Sequence, residues 1–458
     1  FLMAAVDRLR CFPVFYREVN NDYILSDDVD YLFDNQKDKN INKSSEIVFG
    51  ATGYTIGNST LLQNVHQLQG GELLKMQNGQ KESDFYFQFA KNSSKLTFDK
   101  AQSELADILI HRIGPRLVKV LKGRPVAIPL SGGFDSRLIA LLLYLCHYPN
   151  VICFTYGKRQ GNDEIKRSEA VAKQLGFNWY FIDYQKNKNI NILQDEEFLN
   201  YCRYASQYSS KFYFSEYWAA KYLIDEIRIP KNTVFIPGHT GDVMAGSHLR
   251  PFMKNYSSLK QVAQDLMSTH FNLVETDARE RRNFRQILIN QLSNLQDDKF
   301  DYWQLSDAWD VRERQAKYVI NSCKLWEFFG FSYLIPLWDA ELADFFAALP
   351  FELRLNKKLY DNVLRGFFDN QKILFKEDIS LSFSNNCRDN LKQWIKRNFP
   401  FIQKKKDIFE HDIFDFQTMT TSMMKEIQKG NRKKTLRHYN GIMSEWYLYR
   451  IENKLNKE

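Results

Sequence analysis

The sequence predicts an α/β protein: a parallel sheet built from repeated strand–helix–strand units, with a small β-rich domain before it and a helical part after it. Three observations carry this. Residues 1–95 alternate short, mostly apolar runs with turn signals, and near Ser93–Asp99 the apolar period lengthens from two residues to between three and four. From residue 126 onward, strand-like and helix-like segments alternate. Length and composition agree, since 458 residues exceed the roughly 100–200 of a single domain. With 44% apolar and 26% charged residues, the chain can fill packed cores, which excludes wholesale disorder.

The elements follow in order. Cys11–Tyr16, Ile47–Tyr54, Leu73–Met76 and Phe85–Phe89 read as strands of an antiparallel domain, separated by turn signals at Asn20-Asn21-Asp22, Gly70-Gly71 and Asn78-Gly79. The change of period sets a boundary that divides the chain into 1–95 and 96–458. From Asp99 to Leu121, Leu105, Ile108, Leu109, Ile113, Leu117, Val120 and Leu121 recur at helical spacing. Val126–Leu130 then reads as a buried strand, Asp135–His147 as an apolar helix and Val151–Thr155 as a second strand. Asn162–Leu175 is a helix stopped by Gly176, and Trp179–Asp183 a third strand. Thr233–Ile236 is the next strand after a mostly helical stretch from Phe198 to Ile227, and the chain is helical after about residue 250.

Bulk properties narrow the class without naming it. Lys and Arg number 63 against 55 Asp and Glu, and the net charge of +8 favours anions generally. Cys11, Cys146, Cys153, Cys202, Cys323 and Cys387 lie far apart without metal-ligand spacing, as expected of a reduced, cytoplasmic protein without structural zinc. The longest apolar run, Leu138–Cys146, reaches about half of the ~20 residues of a membrane-spanning helix, so no membrane partner is expected. The sequence starts at Phe1 without signal-peptide features and is expected to begin inside a domain.

The sharpest signal is Ser131-Gly132-Gly133-Phe134-Asp135-Ser136, where a predicted strand ends and a helix begins. Two glycines admit an anion close to the backbone, Ser131 and Ser136 add hydroxyl donors, and the helix start supplies free amides. Asp135 fits such a cradle if Mg²⁺ bridges it to phosphate. An ordinary strand-to-helix turn would need neither Asp nor both serines in register.

This loop resembles the signature S-G-G-x-D-S of the ATP pyrophosphatases (PP-loop, or adenine nucleotide α-hydrolase-like, proteins), a group that includes the synthetase domain of asparagine synthetases. Phe154-Thr155-Tyr156-Gly157 with Asp163-Glu164 and Ala170-Val171-Ala172 is similar to the family's second strand and following helix. Pro237-Gly238-His239-Thr240-Gly241-Asp242 with Ala245-Gly246 resembles its S-G-[DE]-G-[GS]-D-E-x-x-x-G loop. Ile335-Pro336-Leu337-Trp338-Asp339 resembles R-x-P-F-L-D, and Leu364-Arg365 resembles K-x-x-L-R. In the first domain, Val6–Tyr16 is similar to a stretch of the family's glutaminase (Ntn-type) domain, and Thr60–Gly71 to the turn before its last strands. That domain normally starts with a nucleophilic cysteine. This chain has none, and Cys11 reads as a small core residue.

The resemblance implies amide synthesis in two steps. A carboxylate attacks the α-phosphate of ATP to give an acyl-adenylate and pyrophosphate, and ammonia or another amine then attacks the acyl carbon. Leu130, Tyr156, Pro237 and Gly238 would border the adenosine. Ser131, Gly132, Gly133, Asp135 and Ser136 would hold the pyrophosphate, with Mg²⁺ on Asp135 and Asp242. Three departures matter. The family's acidic residue after Gly238 is His239, which is a candidate in equal measure for handling a proton, with an inflection around 6.5, and for capping the loop structurally; the Glu after the loop's Asp is Val243; and the Lys of K-x-x-L-R is Asp361, leaving Lys358 as the candidate to meet pyrophosphate. Trp338-Asp339 and the Arg312–Lys317 run are candidates for the acceptor pocket or for an ion-paired surface in equal measure. The acceptor is a small-molecule or peptide carboxylate, and a homodimer is among the assemblies allowed. The alternatives are a tRNA-modifying enzyme of the same fold, to which Lys404–Lys406 and Lys429–Arg437 would offer basic surface, and a catalytically inactive binding scaffold. The glutaminase-like start speaks against a nucleic-acid partner, and the intact loop against a scaffold.

Overall fold

A computed structural model describes residues 2–20, 22–34, 39–77, 80–187, 191–379, 409, 412–430, 432 and 434–455. The Asn20-Asn21-Asp22 and Asn78-Gly79 turns lie wholly or partly outside the described residues, as do Cys387, Lys404–Lys406 and parts of Lys429–Arg437.

Residues 1–95 contain β1 (Leu2–Ala5), β2 (Phe15–Val19), β3 (Asp22–Ser26), β4 (His66–Gln67), β5 (Glu72–Gln77) and β6 (Gln80–Phe85). They pair antiparallel in two three-stranded sheets, β1-β5-β6 and β3-β2-β4. Of the run Ile47–Tyr54, expected as a strand, Ile47–Thr52 instead belongs to a helix, Lys43–Thr52. Asn42 caps it by accepting the Ser45 amide, and Gly53 ends it at φ 87°. Gly50 is packed so closely that a Cβ there would sit 2.8 Å from Glu445, on the helix Tyr439–Leu455.

The central sheet has five parallel strands in the order β11-β10-β7-β8-β9: β7 (Val126–Pro129), β8 (Val151–Gly157), β9 (Asn178–Asp183), β10 (Val234–Phe235) and β11 (Ser332–Tyr333). Strand side chains alternate between two faces, and here the alternation separates two cores. Val126, Ile128, Cys153 and Val234 join one core with helix α1 (Phe134–Leu145) and the helix Phe98–Asp107. Ala127, Phe154 and Phe235 join the other with Tyr217, Trp326 and Trp446. Buried on both faces, β7 and β8 are almost wholly apolar. The expected helix from Asp99 to Leu121 widens into a π-turn at Ile108–Ile113, and Val120 faces outward.

The cores do not stop at residue 95. Leu9, Phe87 and Phe89 belong to the first core, and Phe15, Phe33 and Phe49 to the second. Among the described residues, no helix is long and apolar enough to cross a membrane.

Candidate active site

Sheet order places the site. From β7 the chain winds to β8 and β9 on one side, and β10 and β11 lie on the other. The gap beyond the carboxyl ends of β7 and β10 is therefore a topological switch point, where open α/β sheets bind ligands. Both glycine-containing loops meet there.

Leu130 closes β7 by donating its amide to the Phe154 carbonyl at 2.8 Å, and Thr155 Oγ1 donates to the Leu130 carbonyl at 2.7 Å. The next six residues turn on their serines. The amide of Ser131 donates to Ser136 Oγ at 3.1 Å, and that of Gly133 to Ser131 Oγ at 3.1 Å. Gly133 is the N-cap of α1 and has no side chain to satisfy the first helical amides, which stay open to an anion. From behind, the fully buried Arg137 donates to the Gly132 carbonyl at 2.8 Å and pairs with Asp378 at 2.7 Å. This clamp was not legible in the sequence.

The β10 loop packs onto the first. A Cβ on Gly238 would lie 2.7 Å from the Ser136 amide nitrogen, and one on Gly241 would lie 2.8 Å from Asp135 Oδ2, so both positions demand glycine. Between them Thr240 sits at φ 73°, rare for a β-branched residue and of the kind that clusters at functional sites. Asp242 donates its amide to Asp135 Oδ2 at 2.8 Å, and Tyr360 donates its hydroxyl to Asp135 Oδ1 at 2.9 Å. Burial and the neighbouring Asp242 carboxylate push Asp135 up to about 7, against Lys357 and the hydrogen bonds, which pull it down. Two carboxylates brought together without a cation between them form a hard-oxygen donor set that suits Mg²⁺ shared with phosphate and water. Among the described residues there is no cluster of three or more His, Cys, Asp or Glu that could hold a metal by itself.

His239 contacts Ser322 Oγ through Nε2 at 2.8 Å, and Ser322 donates its hydroxyl proton to the Val319 carbonyl at 2.7 Å. Burial lowers the ring to about 4, with Asp242 acting the other way. The expected inflection near 6.5 is thus displaced, because the ring is desolvated.

The two adjacent lysines go opposite ways. Asn356 and Lys357 both have positive φ, 54° and 58°, and this kink directs Lys357 toward Asp361, 3.3 Å away, and the Asp135 carboxylate. Lys358 is exposed, with its ammonium 5.4 Å from the Phe98 ring. The structure therefore brings Lys357, and not Lys358, to the phosphate loop. Tyr360 follows on the helix Lys358–Asn370; no signal in the sequence marked it beyond its place one residue before Asp361.

Tyr156, Pro237 and Gly238 gather with Leu130 at the ends of neighbouring strands. Tyr156 donates to Glu216 at 2.9 Å and is walled by Tyr184 and Phe414, with ring centroids at 5.6 and 5.5 Å. Of the acceptor candidates, Trp338 packs against Phe87 and Phe89, and Asp339 caps the helix Ala340–Ala348 and pairs with Arg116 at 2.8 Å. Arg312 lies over the Phe85 ring at 3.7 Å, and Glu313 and Lys317 form a buried pair at 2.6 Å. These residues hold the structure together.

Residues 118–435, more than two-thirds of the chain, match the asparagine synthase family. The chain belongs to the asparagine synthase family. Its fold is the PP-loop α/β fold, and as a member it is an ATP-dependent synthetase of the amide-forming kind. Among solved structures, it is similar to the NH3-dependent NAD synthetase from Campylobacter jejuni in complex with the nitrate ion. The identity is 15%, over 49% of this chain and 96% of that one, with a TM-score of 0.20. No curated protein matches the chain. In this asparagine synthase family member the loop carrying His239 and Val243 departs from the family's acidic pattern, while the Ser131–Ser136 loop keeps its own.

Proposed function

We propose that the chain activates a carboxylate with ATP and Mg²⁺, releasing pyrophosphate, and then transfers the acyl group to ammonia or another amine. The observation that supports this most is the joining of Asp135 and Asp242 across the switch point, beside the open amides of the Ser131–Ser136 loop. ATP would lie with its adenosine against Leu130, Tyr156, Pro237 and Gly238. Its β- and γ-phosphates would lie over Ser131, Gly132, Gly133 and Ser136. Bound at Asp135 and Asp242, Mg²⁺ would offset the charge that develops on the leaving pyrophosphate. Lys357 adds a fixed positive charge on the same side.

For the second step, His239 would give its Nε2 proton to Ser322, 2.8 Å away, and accept a hydrogen bond from the amine at Nδ1. A ring held near 4 is a weak base, so this reading makes His239 orient the amine rather than store its proton. Ion pairs of Arg432 with Glu46, Glu445 and Glu452, and of Lys434 with Glu280, engage two cations of the basic Lys429–Arg437 stretch. That favours an acid over an RNA as the acceptor.

Turnover with a carboxylate panel and ammonia should yield AMP and pyrophosphate; ADP and phosphate would sink the reading. His239→Ala should spare ATP–pyrophosphate exchange and lower amide formation by roughly two decades, the cost of misplacing a reacting group by about 1 Å. Amide formation should show no inflection between pH 5 and 8 that vanishes in this variant.

A further inference from the structure

Arg137, in the first turn of α1, is 0% exposed. A guanidinium so deep is costly: burial lowers it from its ordinary range, and the neighbouring Asp378 acts the other way. A buried ion pair is also a poor way to stabilise a core, since apolar side chains of similar volume often do as well or better. What they cannot do is donate to a carbonyl. Arg137 donates to two, Gly132 at 2.8 Å and Ile373 at 3.0 Å. Its guanidinium is held in place by the rings of Phe134, Phe368 and Phe375, whose centroids lie 5.3, 5.0 and 5.2 Å away. Asp378 completes the seat; it also accepts the Phe375 amide at 3.1 Å and lies 3.7 Å from Arg167.

The carbonyl of Gly132 belongs to the peptide that joins Gly132 to Gly133. In a trans peptide the C=O and the N–H point in opposite directions. With the carbonyl turned to Arg137, the Gly133 amide points the other way, to Ser131 Oγ at 3.1 Å, which is itself 3.1 Å from Ser136 Oγ. That is the side on which the loop presents its donors to an anion. The same peptide has a second orientation within reach. Turned over, it would carry Gly133 from φ −78° to a φ of about +100° with ψ still at 168°, a region essentially confined to glycine. Glycine on both sides of the peptide leaves no Cβ to oppose this rotation. The inverted peptide would aim the Gly132 carbonyl, an acceptor, at the phosphate oxygens. The glycines that let an anion approach the loop therefore also let the loop invert.

We propose that Arg137 is a positioning residue that locks the Gly132–Gly133 peptide with its N–H toward the pyrophosphate, and that residues 373–378, which seat Arg137, thereby govern how tightly the loop holds phosphate. Arg137 touches no ligand itself; it acts through the Gly132 carbonyl. Residues 373–378 come shortly after the helix Lys358–Asn370, whose Tyr360 orients the Asp135 carboxylate. One stretch of chain thus sets both the amide that meets the anion and the carboxylate on the metal side, although Asp378 lies 241 residues from Arg137 in sequence.

Because this role rests on the reading that the loop holds pyrophosphate, the test separates the two. Calorimetric titration of the full chain with Mg²⁺–pyrophosphate reads the loop, and titration with AMP reads the adenosine side. In Arg137→Met, which keeps the apolar packing, pyrophosphate should bind about tenfold or more weakly, the effect of losing one charge-assisted hydrogen bond, while AMP stays within about twofold. Arg137→Lys should recover part of the loss, and Asp378→Asn, which keeps the shape of the seat, should weaken pyrophosphate roughly three- to tenfold. If Arg137→Met does not fold, these two variants carry the same comparison. A Cβ on Gly133 would sit 3.2 Å from Ser131 Oγ, a rotatable hydroxyl, and would bar the inverted peptide. In the Gly133→Ala background the cost of Arg137→Met should therefore shrink to about threefold or less. Unchanged pyrophosphate affinity in the variants, equal losses of pyrophosphate and AMP, the same cost in both backgrounds, or a parent chain that does not bind pyrophosphate would overturn the proposal. Pyrophosphate held through Arg137 in a chain that no carboxylate induces to form AMP would overturn the adenylation reading and leave the lock standing.

Discussion

Asp135 and Glu313 are both acids held inside the fold, and their surroundings are opposite. Glu313 is 1% exposed and has Lys317 at 2.6 Å, the Gly57 amide and Gln291 around it, so its charge is answered within the chain. Asp135 faces another carboxylate, Asp242, and is pushed up to about 7. The cluster whose charges cancel ties residues 55–57 to the helical part. The cluster whose charges add is at the switch point, beside loops shaped for an anion. An imbalance that folding leaves in place is one that a bound cation can relieve, and this separates the two acids more sharply than burial does.

Substitution should push the two clusters in opposite directions. Asp135→Asn removes a like-charge contact, so pyrophosphate release should fall by roughly two to four decades while the melting temperature stays level or rises. A fall in both would class Asp135 with Glu313. Glu313→Gln leaves Lys317 buried and unanswered, and should cost about 3–5 kcal/mol in urea denaturation. Replacing Glu313 and Lys317 together with leucine should recover most of that loss, and failure to recover would mean that the carbonyl contacts of Lys317 dominate.

Smaller effects sharpen the contrast. Lys357→Met should lower pyrophosphate exchange by roughly one to two decades, in the range of one lost transition-state donor, and Lys358→Met should change it less than twofold. The reverse order would mean that the kink at Asn356–Lys357 rearranges when ATP binds. Because Asp135 must lose its proton to hold Mg²⁺, apparent Mg²⁺ affinity should rise with pH through about 7 and level off above it. A flat profile would place the metal elsewhere. The gentlest effect concerns His239, His270 and His438, all lowered by burial to about 4. The unfolded chain takes up protons near 6.5 that the folded chain refuses, so stability is full above that pH and is lost as pH falls toward 4. The loss should be shallower in His270→Gln.

Much of the fold was legible because it depends on local pattern. The strand–glycine–helix punctuation marked the Ser131–Ser136 loop, which the strand order then puts at the switch point, and the βαβ alternation predicted the parallel sheet. Ile47–Tyr54 misled because a short apolar run suits a strand or a buried helix equally. The Asn42 cap was the discriminating signal, and the contact of Gly50 with Glu445 shows why the helix is packed where it is. Lys358 misled for a different reason. Helical spacing assumes regular backbone, and the positive φ at Asn356 and Lys357 rotates the choice by one residue.

Side-chain period, loop composition and the order of motifs are properties of neighbours along the chain, so they placed the strands and helices of the sheet and marked the loops that meet at Asp135 and Asp242. Which partner answers each charge is set by contacts across hundreds of residues: Arg137 with Asp378, Tyr360 with Asp135, Lys317 with the carbonyls of Thr55 and Gly57. Those contacts form only when the sheet, both helical layers and the N-terminal strands are packed. The Coulomb and desolvation energies that distinguish a structural ion pair from a binding site depend on separation in space and on burial, and no spacing along the chain encodes either one.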